Sequence, residues 1–437
     1  MTESVEAWRG RRPLPHGLVS FPRNVLPWIE PWFLTYACLG VVQGGMLPIL
    51  LPLSAGGSTH AGAVVGVMNL AGLTAPAWGH LADRRRLHRE VLLIGLVATV
   101  APLALMPAEL GLPVKLALAA ALGAGFAAAN TVANMFIVEV RPKEEWDARI
   151  GALQALSGVG QVAGLLLAGI VGGRYALAYG VSAALVLAAA PIAWLTLRRV
   201  HIPVPRSAVT ARAPLGGEAW AGAPQRQFHL PTPRGLAILL RELETPFARL
   251  LTVWFVAFAA IGAVLTMFPL AVIEAFHVSA RPTAATYAFA AAASLGCYPL
   301  AASVAAQHGP LLVLRVGFAA RTLAVAIVAA AFVEGAGGLP VALFGFAVLT
   351  LAWPLLGVAG TALTAELAPG EKGEALGLFN AASSFAGAVG AFLGGWGMAE
   401  VGYGALCWAA ALVVAVAALG SVGVKGRSEA SANDAGA

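Results

Sequence analysis

Apolar residues in this chain come in long unbroken runs, separated by short stretches rich in Gly, Pro and charge. The runs fall near 32–54, 61–79, 91–107, 113–138, 150–171 and 177–197, and again near 248–273, 283–306, 311–333, 339–365, 375–398 and 403–424. Each is of the order of the roughly 20 helical residues that cross a hydrocarbon core about 30 Å thick. Only helices and closed barrels satisfy their own backbone in lipid, and the short alternating segments of a barrel strand are absent. The pattern therefore predicts an all-α membrane protein of twelve transmembrane helices. A tail over 1–30, a six-helix half over 31–198, a linker over 199–247, a second half over 248–424 and a tail over 425–437 complete the layout. The linker is polar and broken by prolines, so it buries no core of its own. Within it, Gly235 to Leu243 reads as one short interfacial helix. Thr245-Pro246 supplies a cap and first turn for the seventh span.

Charge adds direction to this layout. The chain is 59% hydrophobic and 11% charged, with 27 Lys and Arg against 21 Asp and Glu. With twelve spans, every Lys and Arg except Lys115, Arg174, Arg281 and Arg321 falls on the side of the N-terminal tail. Short basic loops stay inside, so both termini are expected in the cytoplasm, with the protein in a bacterial inner membrane. The basic balance belongs to these loops and implies no nucleic-acid partner. The Arg-rich tail holds no cleavable signal, and the first span is expected to serve as an uncleaved one.

Catalytic and cofactor chemistry lack their residues. Cys38, Cys297 and Cys407 lie far apart in apolar runs and read as small buried hydrophobes, with no metal spacing and no disulfide framework. Neither HExxH, nor a pair of buried aspartates, nor GxxxxGK[ST] occurs, so no enzyme activity, cofactor or metal is expected.

The two halves repeat. Met46-Leu47-Pro48 matches Met267-Phe268-Pro269, Pro76 matches Pro299, and Glu139-x-x-Pro142 matches Glu366-x-x-Pro369. Gln154, Ser157 and Gly164 match Asn380, Ser383 and Gly390, all in order and at nearly constant offset. Such a series marks an internal duplication.

The densest charge lies between the second and third runs, in Gly79-His80-Leu81-Ala82-Asp83-Arg84-Arg85-Arg86-Leu87-His88-Arg89. It reads as a short loop at the membrane surface. Its Gly79, Leu81, Ala82, Asp83 and Arg84 resemble the signature loop of the major facilitator superfamily of secondary transporters. The likeness ends at Arg86-Leu87-His88-Arg89, where the family's loop has a second glycine and more basic residues. It implies two six-helix halves related by pseudo-symmetry, a solute site at their interface, and alternating access. It also implies a gate of Gly79, Asp83, Arg84, Glu139 and Arg149, with the Asp83 carboxylate facing the positive N-terminus of the eleventh helix near 371–374. Otherwise these charges only fix orientation. The second half has Ala302 to Gly309 in place of the knot, so any latch on Asp83 is asymmetric.

Polar residues deep in the spans are few and therefore informative. Gln43 lies about eleven residues, roughly 16 Å, into the first span. Asn130 and Asn134 sit one turn apart on the fourth. The resemblance makes the first, fourth, seventh and tenth helices the cavity lining, which puts Gln43, Asn130, Asn134, Thr266, Met267, Trp353 and Thr361 forward as solute-binding residues. The rival reading is hydrogen bonding between helices, worth about 0.6 kcal/mol on average. Gln161 and Asn380, near Gly160-x-x-x-Gly164 and Gly390-x-x-x-Gly394, read mainly as close helix packing. Arg321 stands in mid-span, to bind an anionic group, pair with a carbonyl or snorkel.

No Asp or Glu lies deep in a span. The family's proton-coupled drug exporters carry an Arg in the fourth helix and a Gly-Pro pair in the fifth, where this chain has Ala120 and Gly160-Gln161. Proton or ion coupling is thus left open. The expected function is a monomeric carrier of a small organic molecule, with efflux of a drug-like or metabolite compound first and uptake of a neutral solute such as a sugar second. A non-transporting assembly protein of the same fold is the rival from another class.

Overall fold

The computed structural model describes residues 29–85, 87–140, 146–197, 245–333, 338–368 and 372–423. Among the described residues, twelve helices are long and apolar enough to cross a membrane. The first half holds α1 (Phe33–Ser54), α2 (Ser58–Ala71, a 3₁₀ turn over Gly72–Thr74, then Ala75–Arg85), α3 (His88–Leu105), α4 (Leu112–Val140), α5 (Trp146–Val171) and α6 (Tyr175–Thr196). The second half holds α7 (Pro246–Phe276), α8 (Arg281–His308), α9 (Pro310–Ala331), α10 (Gly338–Leu367), α11 (Lys372–Val401) and α12 (Tyr403–Gly423). As the sequence implied, Thr245 caps α7, accepting from the Ala248 N–H at 3.2 Å, with Pro246 in the first turn.

The charged knot is helical rather than a loop. α2 runs through Gly79 to Arg85, and α3 begins at His88. The Leu87 N–H returns to the Ala82 carbonyl at 2.9 Å, tying the start of α3 to the end of α2 without a second glycine. The proposed linker helix at 235–243 lies outside the described residues.

Each half has its own apolar core. One gathers Phe33, Tyr36, Leu92, Leu122, Phe126 and Tyr179; the other gathers Trp254, Phe268, Phe318, Phe346, Leu356 and Tyr403. Glycines set the closest helix pairs, and they do so twice. A Cβ on Gly160 or Gly164 of α5 would strike the Ala37 or Val41 carbonyl of α1. A Cβ on Gly390 or Gly394 of α11 would strike the Ala259 or Ala263 carbonyl of α7. The repeat read along the chain is thus a repeat of contacts, α1 with α5 and α7 with α11.

Two seams join the halves. Along α2 and α11, Gly62 packs on Ala391 and Gly395, and Gly66 on the Phe392 ring. Along α5 and α8, Gly169 meets Ala284, while Ile49, Leu165, Ala168, Ala288 and Ala291 form a third, smaller core. Both seams are tight toward the end of the bundle that carries Ser58 and Arg281. Past Gly72 the α2–α11 contact gives way to a small cavity between Gly72–Pro76 and Gly377–Ala381. The α2–α11 seam is therefore tight beside Gly62 and Gly66 and opens into that cavity beyond Gly72.

Candidate solute-binding site

Helical irregularity concentrates where polar groups face the interface. α1 widens into a π-helical stretch over Gly40–Met46, which carries Gln43. Single π-turns inside α-helices often mark functional positions. Here the glycines Gly40, Gly44 and Gly45 let α1 rest on Ser157, Gln161 and Gly164 of α5. On α2, the 3₁₀ turn at Gly72–Thr74 begins three residues after Asn69.

Between these breaks lies a cavity of about 300 Å³, lined by Gln43 of α1, Asn69 and Gly72 of α2, Phe126 and Asn130 of α4, and Ser384 of α11, among others. The Asn130 side-chain N–H donates to the Gln43 carbonyl oxygen at 2.8 Å. That bond uses one Asn130 N–H and one Gln43 lone pair, so each amide keeps further hydrogen-bonding capacity in the cavity wall. Asn69 aims its amide nitrogen at Gly387 of α11, 3.5 Å from where a Cβ would stand. Ser383 of α11 also lines the space; its hydroxyl accepts from the Trp254 indole and donates to the Phe379 carbonyl, both at 2.8 Å.

The residues expected from the sequence separate into groups. Gln43 and Asn130 meet in the cavity; Asn134 lies one turn further along α4, its side chain outside the described residues. Thr266 is half-buried on α7, and Met267 is sealed in the second-half core. Thr361 donates to the Gly357 carbonyl of its own helix at 2.8 Å. Trp353 opens the second segment of α10 and packs on Phe258, ring centres 5.2 Å apart. None of these four lines the cavity around Gln43. Asn69 and Ser384 were missed; the signal for Asn69 was a lone amide in the middle of the 61–79 apolar run.

Of the gate residues, Gly79 is buried with Thr131 of α4 3.3 Å from where its Cβ would stand. Asp83, Arg84 and Glu139 lie on helices, but their side chains are outside the described residues, as is the stretch 369–371 before α11. Arg149 is paired with Glu30, its guanidinium donating to the carboxylate at 2.7 Å.

Arg321 does not snorkel. It is 2% exposed, its Cζ 5.1 Å from the Trp353 ring centre and 5.7 Å from that of Phe258. A charge in mid-span costs at least about 2.5 kcal/mol on insertion scales. Desolvated cation–π contacts return about 2 kcal/mol, so the rings alone nearly hold it.

The family model of the major facilitator superfamily matches residues 32–358. The chain belongs to the major facilitator superfamily. No curated protein sequence matches it significantly. Solved structures of superfamily-like transporters share its fold at low identity. The nucleoside transporter NupG superposes with a TM-score of 0.70 at 13% identity, over 90% of this chain and 97% of that one. An auto-inhibited peptide transporter of the POT family gives 0.67 at 14%, over 92% and 96%, and a D-xylose-proton symporter 0.66 at 16%, over 91% and 96%. Fold and family point to an integral-membrane transporter of small molecules rather than an enzyme.

Proposed function

We propose that this superfamily member moves a small organic molecule by alternating access, through the cavity between its halves, with Gln43 and Asn130 as its principal solute contacts. The observation that carries this is the bonded amide pair in the wall of a space bounded by both halves, each amide keeping hydrogen-bonding capacity beyond that bond. Such a pair suits a solute with neighbouring hydroxyl, amide or ring-nitrogen groups. Asn134 on the same helix and Trp353, Thr266, Met267 and Thr361 on the facing half complete the solute path in this reading, entering as the halves rock. Gly79, Asp83, Arg84, Glu139 and Arg149 form the gate at the end of the bundle away from Ser58 and Arg281. The solved relatives named for nucleosides, peptides and xylose support a polar organic cargo. Efflux was favoured by the sequence; the amide-lined cavity favours the second direction, uptake of a polar solute, equally well.

The test is thermal stabilisation of the purified protein across nucleosides, sugars, peptides and amphiphilic drugs, repeated with Gln43→Ala and Asn130→Ala. A hit that both substitutions abolish supports the site, and its flux into or out of proteoliposomes gives the direction. Ligands that stabilise both variants as well as wild type would refute the assignment.

A further inference from the structure

The charge that this site leaves unused is Arg321 on α9. Its Nε is buried without a hydrogen-bond partner, and none of its contacts among the described residues is with a carboxylate. Aromatic groups from three other helices surround it: Phe258 of α7, Tyr287 and Tyr298 of α8, and Trp353 of α10. The Tyr298 hydroxyl also interacts with the Trp353 indole.

Two further observations point to an anion. α9 and α10 run antiparallel, with Gly345 on Val328 and Gly317 on Leu355 and Leu356; that register brings Arg321 level with Ala352. α10 is interrupted at Ala352, where Pro354 two residues on lacks the N–H that would continue the ladder, so this interruption and the guanidinium share one level of the bundle. Interrupted helices in transporters lie next to solute sites, where they can face anionic groups. A ladder of rings also joins this place to the cavity. Ser383, in the cavity wall, holds Trp254; Trp254 stacks on Phe258 at 4.1 Å, and Phe258 meets Trp353 edge-on at 5.2 Å. The last two rings are the ones that flank Arg321.

We propose that Arg321 and its ring of aromatic side chains form an anion subsite in the second half, taking the carboxylate of an aromatic organic acid. This rests on the transport reading above and narrows its cargo to organic monoanions. A guanidinium offers a planar pair of N–H donors that matches a carboxylate, and one buried cation balances one negative charge rather than a phosphate dianion. The rings supply an apolar bed for the body of the acid, with the Phe258 and Trp353 faces turning aside to admit it.

The experiment uses the full-length protein and three probes, benzoate, phenylacetate and 2-naphthoate, against benzamide and sodium chloride. Thermal stability is titrated for wild type, Arg321→Gln and Arg321→Lys. The expected result is saturable stabilisation by at least one carboxylate and none by benzamide or chloride, abolished in Arg321→Gln. Arg321→Lys keeps the charge but loses the fork, raising the half-saturating concentration by about tenfold. No carboxylate effect on wild type overturns the proposal without needing a variant, as does an equal response to benzamide or an effect that survives Arg321→Gln. The two readings fail separately. Neutral solutes acting through Gln43 with no carboxylate response leave transport standing and remove the subsite; carboxylate binding through Arg321 without flux in proteoliposomes removes transport.

Discussion

Arg149, in the first turn of α5, donates to the Glu30 carboxylate just before α1 at 2.7 Å, and the two side chains are only 11% and 14% exposed. A cation in the first turn of a helix opposes the helix dipole, so Glu30 compensates both the charge and its position. Glu30 is itself oriented by the Trp32 indole N–H at 2.9 Å. Glu30→Gln takes the carboxylate away from a mostly buried guanidinium and is expected to cost about 3 kcal/mol, the low end for breaking a buried pair. Thermal unfolding of Glu30→Gln, Arg149→Gln and the double variant measures it. A double variant less damaged than either single change is the expected signature.

The paired glycine contacts predict matching sensitivities in the two halves. Gly164→Val drives a side chain into the Val41 backbone, and Gly390→Val into the Ala259 backbone. Backbone cannot yield as a flexible side chain does, so each is expected to destabilise by at least about 3 kcal/mol. Gly296→Ala, with nothing within 4 Å of its Cβ, should be near neutral. Size-exclusion profiles and unfolding temperatures of the three variants check the ranking. Tolerance at only one of the two valine sites would break the claimed equivalence.

Twelve spans were legible because lipid demands long apolar helices, and the boundaries differ from the structure by a few residues at most ends. The α1–α5 and α7–α11 glycine contacts were half legible, since Gly-x-x-x-Gly announces close approach but not its partner. The π-helical stretch at Gln43 was not, because a widened turn leaves no mark in hydrophobic spacing. Glu30 and Arg149 are 119 residues apart, and nothing local connects them. Arg321 was visible as an oddity, yet its surroundings come from α7, α8 and α10, and only the assembled bundle shows that rings rather than carboxylates meet it.

Orientation follows from the Lys and Arg bias and is expected to put both termini in the cytoplasm. Glu109, between α3 and α4, and His308, at the end of α8, are exposed at opposite ends of the bundle. Glu109→Cys should react with a membrane-impermeant maleimide in intact cells, and His308→Cys only after permeabilisation. The reverse pattern would invert the topology.

Alternating access requires the seam between α5 and α8 to open. An ideal Cβ on Gly169 falls 3.0 Å from that of Ala284, slightly closer than the Cβ separation of about 3.5–4.5 Å in disulfides, so a small adjustment suffices to bridge them. Gly169→Cys with Ala284→Cys is therefore expected to oxidise readily and to fasten the halves at the end of the bundle that carries Ser58 and Arg281. If the halves rock, the bridge holds one conformation, and flux in proteoliposomes should stop on oxidation and return on reduction. Either single cysteine should leave flux unaffected by oxidant. Full flux through the bridged protein would mean that this seam never parts, and solute movement would then need a route that leaves α5 and α8 together.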